Sequence, residues 1–302
     1  MKTTMCLSLL AASVFSTSAT AVEIFRADKD AITTGQSVSI EYSEWAPSQF
    51  FNGRANIYLV KPNGSRSKVA SNLPQVGTYR SPTLTSIGEH KFEIEICAGG
   101  RCGSNGSLKV YVNPVCKLVT SGSSYYECGG KQVTQSFKTF MNPRSRITEF
   151  KVHRGFVTWK YYDHNGSSGT TARSYTSYHS NNINGTNRVQ ITQTADSNFN
   201  DADVIRSFQV KNNKAVWQFV DASRNCGIGC TSDVAYYQQC LDGRYPGLEA
   251  ITSIAHSNLN VKENITDFYI SSYGTYASWV FNRRNSVSSD SYPRNARLKS
   301  CG

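Results

Sequence analysis

The chain has 302 residues, with 32 Lys and Arg against 21 Asp and Glu, so its formal net charge is +11, and 12% of its residues are aromatic. This length is enough for one large domain or two ordinary ones, and the aromatic and β-branched content excludes a disordered chain. Abundant Gly and Tyr, together with many Ser, Thr and Asn, favour strands and turns over a long helical or coiled-coil protein. The composition therefore predicts an all-β fold.

Residues 1–21 have the pattern of a secretory signal peptide. Lys2 supplies the positive start, Cys6–Phe15 forms a short apolar core, and Ala19–Ala21 is a small-x-small cleavage site. The apolar run is about half the length that a membrane span requires, and nothing later in the chain approaches one. The signal is bacterial in style, so we expect a mature protein that starts at Val22 and is secreted or periplasmic.

The cysteines predict disulfide bonds. Eight remain after removal of the signal peptide, and an even number in an oxidising compartment is typical of disulfides. A zinc site is disfavoured because Cys-x-x-Cys spacing and nearby His partners are missing, and no metal or cofactor is expected. Two close pairs are predicted, one across the Gly-Gly turn of Cys97–Cys102 and one closing the tight loop Cys226–Cys230. The full set is Cys97, Cys102, Cys116, Cys128, Cys226, Cys230, Cys240 and Cys301.

Residues 22–113 are predicted to form a β-sandwich. Short alternating or β-branched segments recur between turn signals such as Asn63-Gly64, and some seven strands in about 90 residues is typical of a sandwich. The predicted strands are Val22–Ala27, Ser37–Tyr42, Ala55–Val60, Lys68–Asn72, His90–Cys97 and Ser107–Val112.

The run Gly77–Ile96 resembles the penultimate strands of immunoglobulin-like and fibronectin-III-like domains, where a Gly-x-Tyr step leads into an alternating strand. His90 stands where Tyr is usual, and the Cys…Trp…Cys pattern of true immunoglobulin domains is missing. The resemblance covers residues 22–113 and implies a fold, serving as spacer or docking unit, rather than an activity. Asn113-Pro114 marks the boundary, because Pro cannot continue a ladder of strand hydrogen bonds.

Residues 114–302 form a second predicted domain that contains three internal repeats, at about 132–189, 190–249 and 250–302. In each copy a Thr is followed 13 residues later by the first Ile of an Ile-x-x-Phe-x-Val/Ile segment, and a Trp comes after that segment. Period-two spacing predicts a β-hairpin with Phe, Val and Trp on its apolar face. The shared Trp residues, Trp159, Trp217 and Trp279, predict a repeated core. Three copies favour a β-trefoil-like arrangement, with a β-sandwich or a propeller-like array as alternatives.

Signals for catalysis are sparse. The five His lack metal-ligand spacing, and there is neither a Gly-x-Ser-x-Gly motif nor a phosphate-binding Gly loop. Asp163 and His164, directly after the first Trp hairpin, are the candidates for general acid–base chemistry; the alternative is an ordinary turn at Asn165-Gly166. A glycosidase requires two suitably spaced carboxylates, and no such pair stands out in the sequence.

Ligand binding has more support, because polar and basic groups lie at the exit of each hairpin. Asp and Asn hydrogen-bond sugar hydroxyls, a nearby Tyr offers a stacking face, and a basic surface attracts anionic polymers in a salt-dependent way. The predicted ligand-binding residues are Tyr161, Asp163, His164, Asp221, Arg224, Tyr273, Arg283 and Arg284.

These features predict a secreted, disulfide-bonded binding protein that recognises glycans or an anionic cell-surface polymer through repeated shallow sites, with avidity from multiple weak contacts. The alternatives are a secreted hydrolase with an immunoglobulin-like accessory domain, and an adhesin or envelope structural protein. Nucleic acid is disfavoured as a partner, because the cations are scattered, with no run longer than Arg283-Arg284, and because export argues against a genomic role.

Overall fold

The computed structural model describes residues 22–44, 53–98, 101–138, 144–165, 173–197, 203–222, 232–244, 249–257, 261–272, 274–285 and 288–301. These residues are all strand, turn or irregular backbone, which confirms the all-β prediction. Within these ranges there is no helix of the length and apolarity needed to cross a membrane. The predicted signal peptide, Arg224, Cys226, Cys230 and Tyr273 lie outside the described residues.

The chain forms two compact units. The first contains the described residues up to Asp30, together with those of Gln36–Leu84 and Glu89–Val110. The second contains Ala31–Gly35, Thr85–Gly88 and the described residues from Tyr111 onward.

Eight strands occupy the N-terminal part. They are β1 (Val22–Ala27), β2 (Ala31–Thr33), β3 (Ser39–Glu44), β4 (Arg54–Val60), β5 (Arg66–Leu73), β6 (Val76–Arg80), β7 (Gly88–Ala98) and β8 (Arg101–Asn113). One sheet has the order β1-β3-β6 and the other the order β2-β8-β7-β4-β5. All six predicted strands are present; β2 and β6 are additional, since one is only three residues long and the other contains Gly77, a weak strand former.

The strand order is that of an immunoglobulin-like sandwich, which confirms the resemblance. The first, third and sixth strands form one antiparallel sheet. In the other sheet β7 lies between β8 and β4, β5 lies at one edge, and β2 adds to the other edge in parallel with β8. Alternating side chains of both sheets are buried, among them Ile40, Tyr42, Ile57 and Phe92. This alternation, hydrophobic inward and polar outward, produces the core.

The strands after residue 113 form one short sheet, which comes first in the chain, and three longer repeats. The short sheet contains β9 (Cys116–Val119), β10 (Tyr125–Cys128) and β11 (Lys131–Gln132). The first repeat contains β12 (Arg144–Val152), β13 (Phe156–Asn165) and β14 (Arg173–Asn182). The second contains β15 (Val189–Gln190), β16 (Ala195–Ser197), β17 (Val204–Lys211), β18 (Lys214–Ala222) and β19 (Ser232–Cys240). The third contains β20 (Glu249–Ala250), β21 (Ala255–Ser257), β22 (Val261–Ile270), β23 (Tyr276–Asn285) and β24 (Ser289–Arg297).

Each repeat is a three-stranded antiparallel meander, since the Tyr-rich segment after each predicted hairpin is a third strand. The first strand of each meander contains a β-bulge, at Thr148–Lys151, Arg206–Gln209 and Thr266–Tyr269. Each bulge holds a residue with positive φ, namely Glu149, Ser207 or Asp267. Ile and Phe three residues apart would face opposite sides of a regular strand, and the extra bulge residue turns both toward the core.

Successive repeats are joined by the same aromatic contact. A Tyr stacks on Phe of the next meander, with ring centroids 3.6–4.1 Å apart, in the pairs Tyr126–Phe150, Tyr178–Phe208 and Tyr236–Phe268. Tyr178 and Tyr236 lie on the third strands of the first two meanders, and Tyr126 lies on β10 of the short sheet. In every case the backbone N–H of that Tyr donates to a Thr hydroxyl of the next copy, at Thr134, Thr192 or Thr252. The repeats therefore stack layer on layer, and the Trp residues belong to the core between layers.

The last repeat ends this series. The position that holds Tyr178 and Tyr236 in the first two copies, opposite the residue after Trp, is Pro293 in the third. Pro has no N–H to donate to a following Thr, and it is typical of edge strands. Among the described strands, β24 pairs with β23 alone, so the pairing path is open-ended and is not closed as in a trefoil.

Three disulfides are present among the described residues: Cys97–Cys102, Cys116–Cys128 and Cys240–Cys301. The first is the predicted hairpin pair, which is confirmed. Three carboxylate or sulfur ligands, Glu95, Cys97 and Cys102, lie close enough to hold a metal, but the two sulfurs are bonded to each other. Disulfides of this number are typical of exported proteins.

Candidate binding cleft

A cleft of about 650 Å³ lies at the end of the repeat unit where the hairpin turns are located. Its walls come from the turns of all three meanders and from the segment after the last strand. The lining residues are Arg154, Asn212, Asn213, Lys214, Gly274, Thr275, Arg297, Leu298, Lys299, Ser300 and Cys301. Turns at equivalent positions in the sequence repeat therefore converge on one site.

The turn of the second repeat is fixed against the turn of the third. Asn212 and Asn213 both have positive φ, as a two-residue type I′ hairpin turn requires. On either side, Lys211 Nζ donates to the carbonyl of Ile270 (3.2 Å) and Lys214 Nζ to the carbonyl of Gly274 (3.0 Å). The Lys214 side chain is 4% exposed, so it holds the two turns together as well as lining the cleft.

The C-terminal wall is anchored at several points. The N–H of Leu298 donates to the carbonyl of Thr275 (2.8 Å), the Cys240–Cys301 disulfide joins the end of the chain to β19, and Arg244 Nη2 donates to the Cys301 carbonyl (3.2 Å). A rigid wall keeps binding groups in place without an entropy cost on ligand binding.

The cleft is electropositive. Four lining residues carry basic groups, Arg154, Lys214, Arg297 and Lys299, and none of the described lining residues is acidic. Burial lowers the pKa of Lys214, an effect that the charge of Glu249 opposes. The Glu249 carboxylate also pairs with Lys299 Nζ at 3.1 Å. Among the described lining residues there is also no His.

The predicted residues of the first hairpin exit do not reach this cleft's lining. Tyr161 packs against the core, and its ring is edge-on to His179 at 6.0 Å. Asp163 and His164 are consecutive in β13, so their side chains point to opposite faces of the sheet. His164 is stacked with Tyr162 at 6.4 Å. This strand geometry separates the two groups that acid–base chemistry would have to combine.

The other exits are likewise separate from the cleft's lining. Asp221 is exposed and lies opposite Asp233 in the strand register. Arg283 pairs with Glu263 (3.5 Å), and Arg284 is exposed on the same strand. Arg224 and Tyr273 lie outside the described residues, so their part in a site stays a prediction.

One acid–histidine pair escaped the sequence reasoning. His256 Nδ1 lies 2.7 Å from Asp233 Oδ1 where the second and third repeats meet, and its backbone N–H donates to Glu263 (3.0 Å). Both side chains of the pair are about half exposed, at 56% and 42%. The pair therefore lies on the surface and outside the lining of the cleft.

The sequence reasoning also missed the cleft itself. It placed ligand groups at the hairpin exits, whereas the cleft is built from the turns at the opposite end of the same hairpins. The available signal was a basic residue in the turn of the first copy, Arg154, and in that of the second, Lys214. Nothing in the repeat pattern indicates that Arg297 and Lys299, which follow the third copy's hairpin, would join them.

No family model and no curated protein matches the chain. Solved structures of β-strand modules in series are similar to it at low identity. Drosophila OTK extracellular domains 3–5 share 10% identity over 94% of this chain and 97% of that chain, with a TM-score of 0.25. Chicken CNTN1 domains FN1–FN3 share 9% identity over 93% and 98%, with a TM-score of 0.27. Domains 5–6 of the S-layer protein SbsC share 14% over 79% and 97%, with a TM-score of 0.17. At these TM-scores the immunoglobulin-like assignment depends on strand order alone, and no function follows from the likeness.

Proposed function

We propose that this chain is an exported binding protein that recognises an acidic glycan or a similar anionic surface polymer in the basic turn cleft. The observation that carries this proposal is the convergence of the turns of three repeats, with Arg154, Lys214, Arg297 and Lys299, on one cleft of about 650 Å³. Convergence favours one site for one stretch of ligand, in place of the separate shallow sites expected from the repeat pattern.

The remaining lining supports a sugar polymer over a simple ion. Asn212, Asn213, Thr275 and Ser300 line the same cleft as the cations, and amide and hydroxyl groups of this kind hydrogen-bond sugar hydroxyls. The volume lies in the range of pockets that enclose a drug-sized ligand, so several sugar units fit. The immunoglobulin-like unit then serves as a spacer or docking module.

The experiment measures binding of the full mature chain to alginate, an acidic polysaccharide, by isothermal titration calorimetry at two salt concentrations. Binding should weaken as salt rises, because screening shortens the range of the attraction. The double variant Arg154→Gln/Lys299→Gln should weaken it about tenfold, the equivalent of about 1.4 kcal/mol.

Lys131→Gln/Lys117→Gln is the matched control, since it removes the same charge from two exposed positions on β11 and β9 outside the cleft's lining. These changes should alter the affinity by less than about twofold, as expected for rim charges. An equal loss in the two double variants would mean that overall charge attracts the polymer and that the cleft is not the site.

A further inference from the structure

The outward face of the last repeat carries two exposed tyrosines next to the cleft. This face, called the terminal face below, consists of the side chains of β23 that alternate with the buried Ala277 and Trp279, together with their register partners on β22 and β24. Its members are Asn264, Thr266, Tyr269, Tyr276, Ser278, Val280, Asn282, Ser291, Pro293, Asn295 and Arg297.

In the first two repeats the equivalent face is covered by the next repeat. Thr158 and Tyr178 of the first copy are 1% and 4% exposed, and Val216 and Tyr236 of the second are 2% and 7% exposed. In the third copy Pro293 takes the position of Tyr178 and Tyr236. Tyr276, whose counterparts are the half-buried Phe156 and the buried Lys214, is 54% exposed. None of the described residues stacks a further repeat on the terminal face, and its composition differs from that of the two covered faces.

Tyr269 and Tyr276 form a pair on this face. Tyr269 lies directly opposite Ser278, two residues along the strand from Tyr276, so the two tyrosines are diagonal cross-strand neighbours. The Lys211 ammonium lies 5.8 Å from the centroid of the Tyr269 ring. Each is 54% exposed. In the other two copies the positions of Tyr269 hold Lys151 and Gln209, so the aromatic pair is peculiar to the end of the stack.

The surroundings of the pair suit a sugar chain. The neighbouring side chains Ser278 and Asn295 carry hydroxyl and amide groups, which can hydrogen-bond sugar hydroxyls. Arg297 lies opposite Tyr276 in the register and also lines the cleft. The terminal face and the cleft are therefore continuous at Arg297.

We infer that Tyr269 and Tyr276 are a stacking platform for sugar rings of an acidic polysaccharide whose charged groups lie in the basic cleft. This inference rests on the proposed function and narrows its ligand from any anionic polymer to a polymer of sugar rings. Aromatic faces supply contact area at little entropy cost, because Tyr has only two side-chain torsions. The cleft supplies charge attraction, and the platform supplies selection for rings.

The test compares alginate with polyphosphate, which has similar charge but no sugar rings, on the full mature chain. Tyr276→Ala and Tyr269→Ala should each weaken alginate binding roughly threefold to tenfold, as expected for one aromatic contact, and leave polyphosphate binding unchanged. Tyr276→Phe keeps the ring and should retain alginate affinity. Tyr292→Ala removes an exposed Tyr from the opposite side of β24 and should have no effect.

Four outcomes separate the two proposals. The platform is wrong if Tyr276→Ala and Tyr269→Ala bind alginate with the affinity of the parent. It is also wrong if these variants lose as much affinity for polyphosphate as for alginate. If Arg154→Gln/Lys299→Gln still weakens both polymers in that case, the basic cleft stands without the platform. If the Tyr292 variant loses as much alginate as the Tyr276 variant, ring stacking at the terminal face is overturned. If the parent binds neither polymer, both the cleft and the platform are wrong.

Discussion

Two of the three core Trp residues donate a hydrogen bond from the indole N–H to a Gln side chain. The third copy has no Gln at the equivalent position. Trp217 is fully buried, and its Nε1–H donates to Gln193 Oε1 at 2.9 Å. Trp159 makes the same bond to Gln135 at 3.0 Å. In the third copy this position holds Ser253, which is exposed. Replacing Gln193 by Met keeps the length of the side chain and removes the acceptor.

The expected cost follows from the burial of the indole. An N–H left unpaired away from water loses the hydrogen bond and keeps its full desolvation penalty, which together destabilise a protein by about 1–3 kcal/mol. Gln193→Met should therefore lower the free energy of unfolding by about 2 kcal/mol. Ser253→Ala, the matched change in the third copy, should stay within about 0.5 kcal/mol, as is usual for exposed positions.

The assay is urea unfolding followed by Trp fluorescence and circular dichroism, with the midpoint and slope fitted for each variant. A double-mutant cycle with Trp217→Phe isolates the bond, since Phe has no N–H to leave unpaired. In the Trp217→Phe background, Gln193→Met should cost less than half of what it costs in the parent. Equal costs in the two backgrounds would refute the reasoning, and so would a loss from Ser253→Ala as large as that from Gln193→Met.

Two further predictions concern pH and cross-linking. Burial lowers the pKa of His153 and of His179 to about 4. Between pH 6.5 and 4 the unfolded chain therefore binds protons that the folded chain excludes. The free energy of unfolding should fall over this range by up to about 3 kcal/mol per residue. Urea midpoints at pH 7 and 4.5 check this, and an unchanged pH slope in the His153→Gln/His179→Gln variant would contradict it. Removing the Cys240–Cys301 disulfide, which spans 61 residues, should lower the free energy of unfolding by about 4 kcal/mol. It should also weaken alginate binding, because one wall of the cleft loses its anchor. A less stable variant that binds alginate with parental affinity would exclude that role.

The period-two spacing around the Trp residues was sufficient to predict strands, a repeated core and the hairpin of each copy, because side-chain alternation is a local property of extended backbone. The Gly-x-Tyr step and the strand spacing were likewise sufficient for the immunoglobulin-like sandwich. The bulge residues Glu149, Ser207 and Asp267 were not predictable, since one of the three is Ser and positive φ has no fixed residue type outside Gly.

The site needed information that a linear pattern does not contain. Arg154, Lys214 and Arg297 belong to different repeats and lie far apart in sequence, and they meet only because successive meanders stack in the same orientation. The hairpin exits, where Asp163 and Arg283 were expected to bind ligand, are as rich in polar residues as the hairpin turns that line the cleft. Sequence alone therefore could not decide which end of the hairpins would form a cleft.

The composition was enough to predict an all-β, basic protein, and the repeat was enough to predict that its aromatic residues form a core. Tertiary structure decided where the basic charge is concentrated and where the stack of repeats ends. The reason is physical: alternation and turn preference act between neighbours in sequence, while a cleft and an end face exist only after separate segments have packed. Pro293 illustrates this difference. From the sequence alone, it indicates only an edge strand. The structure places it opposite Val280, at the position where the first two copies have a stacking Tyr.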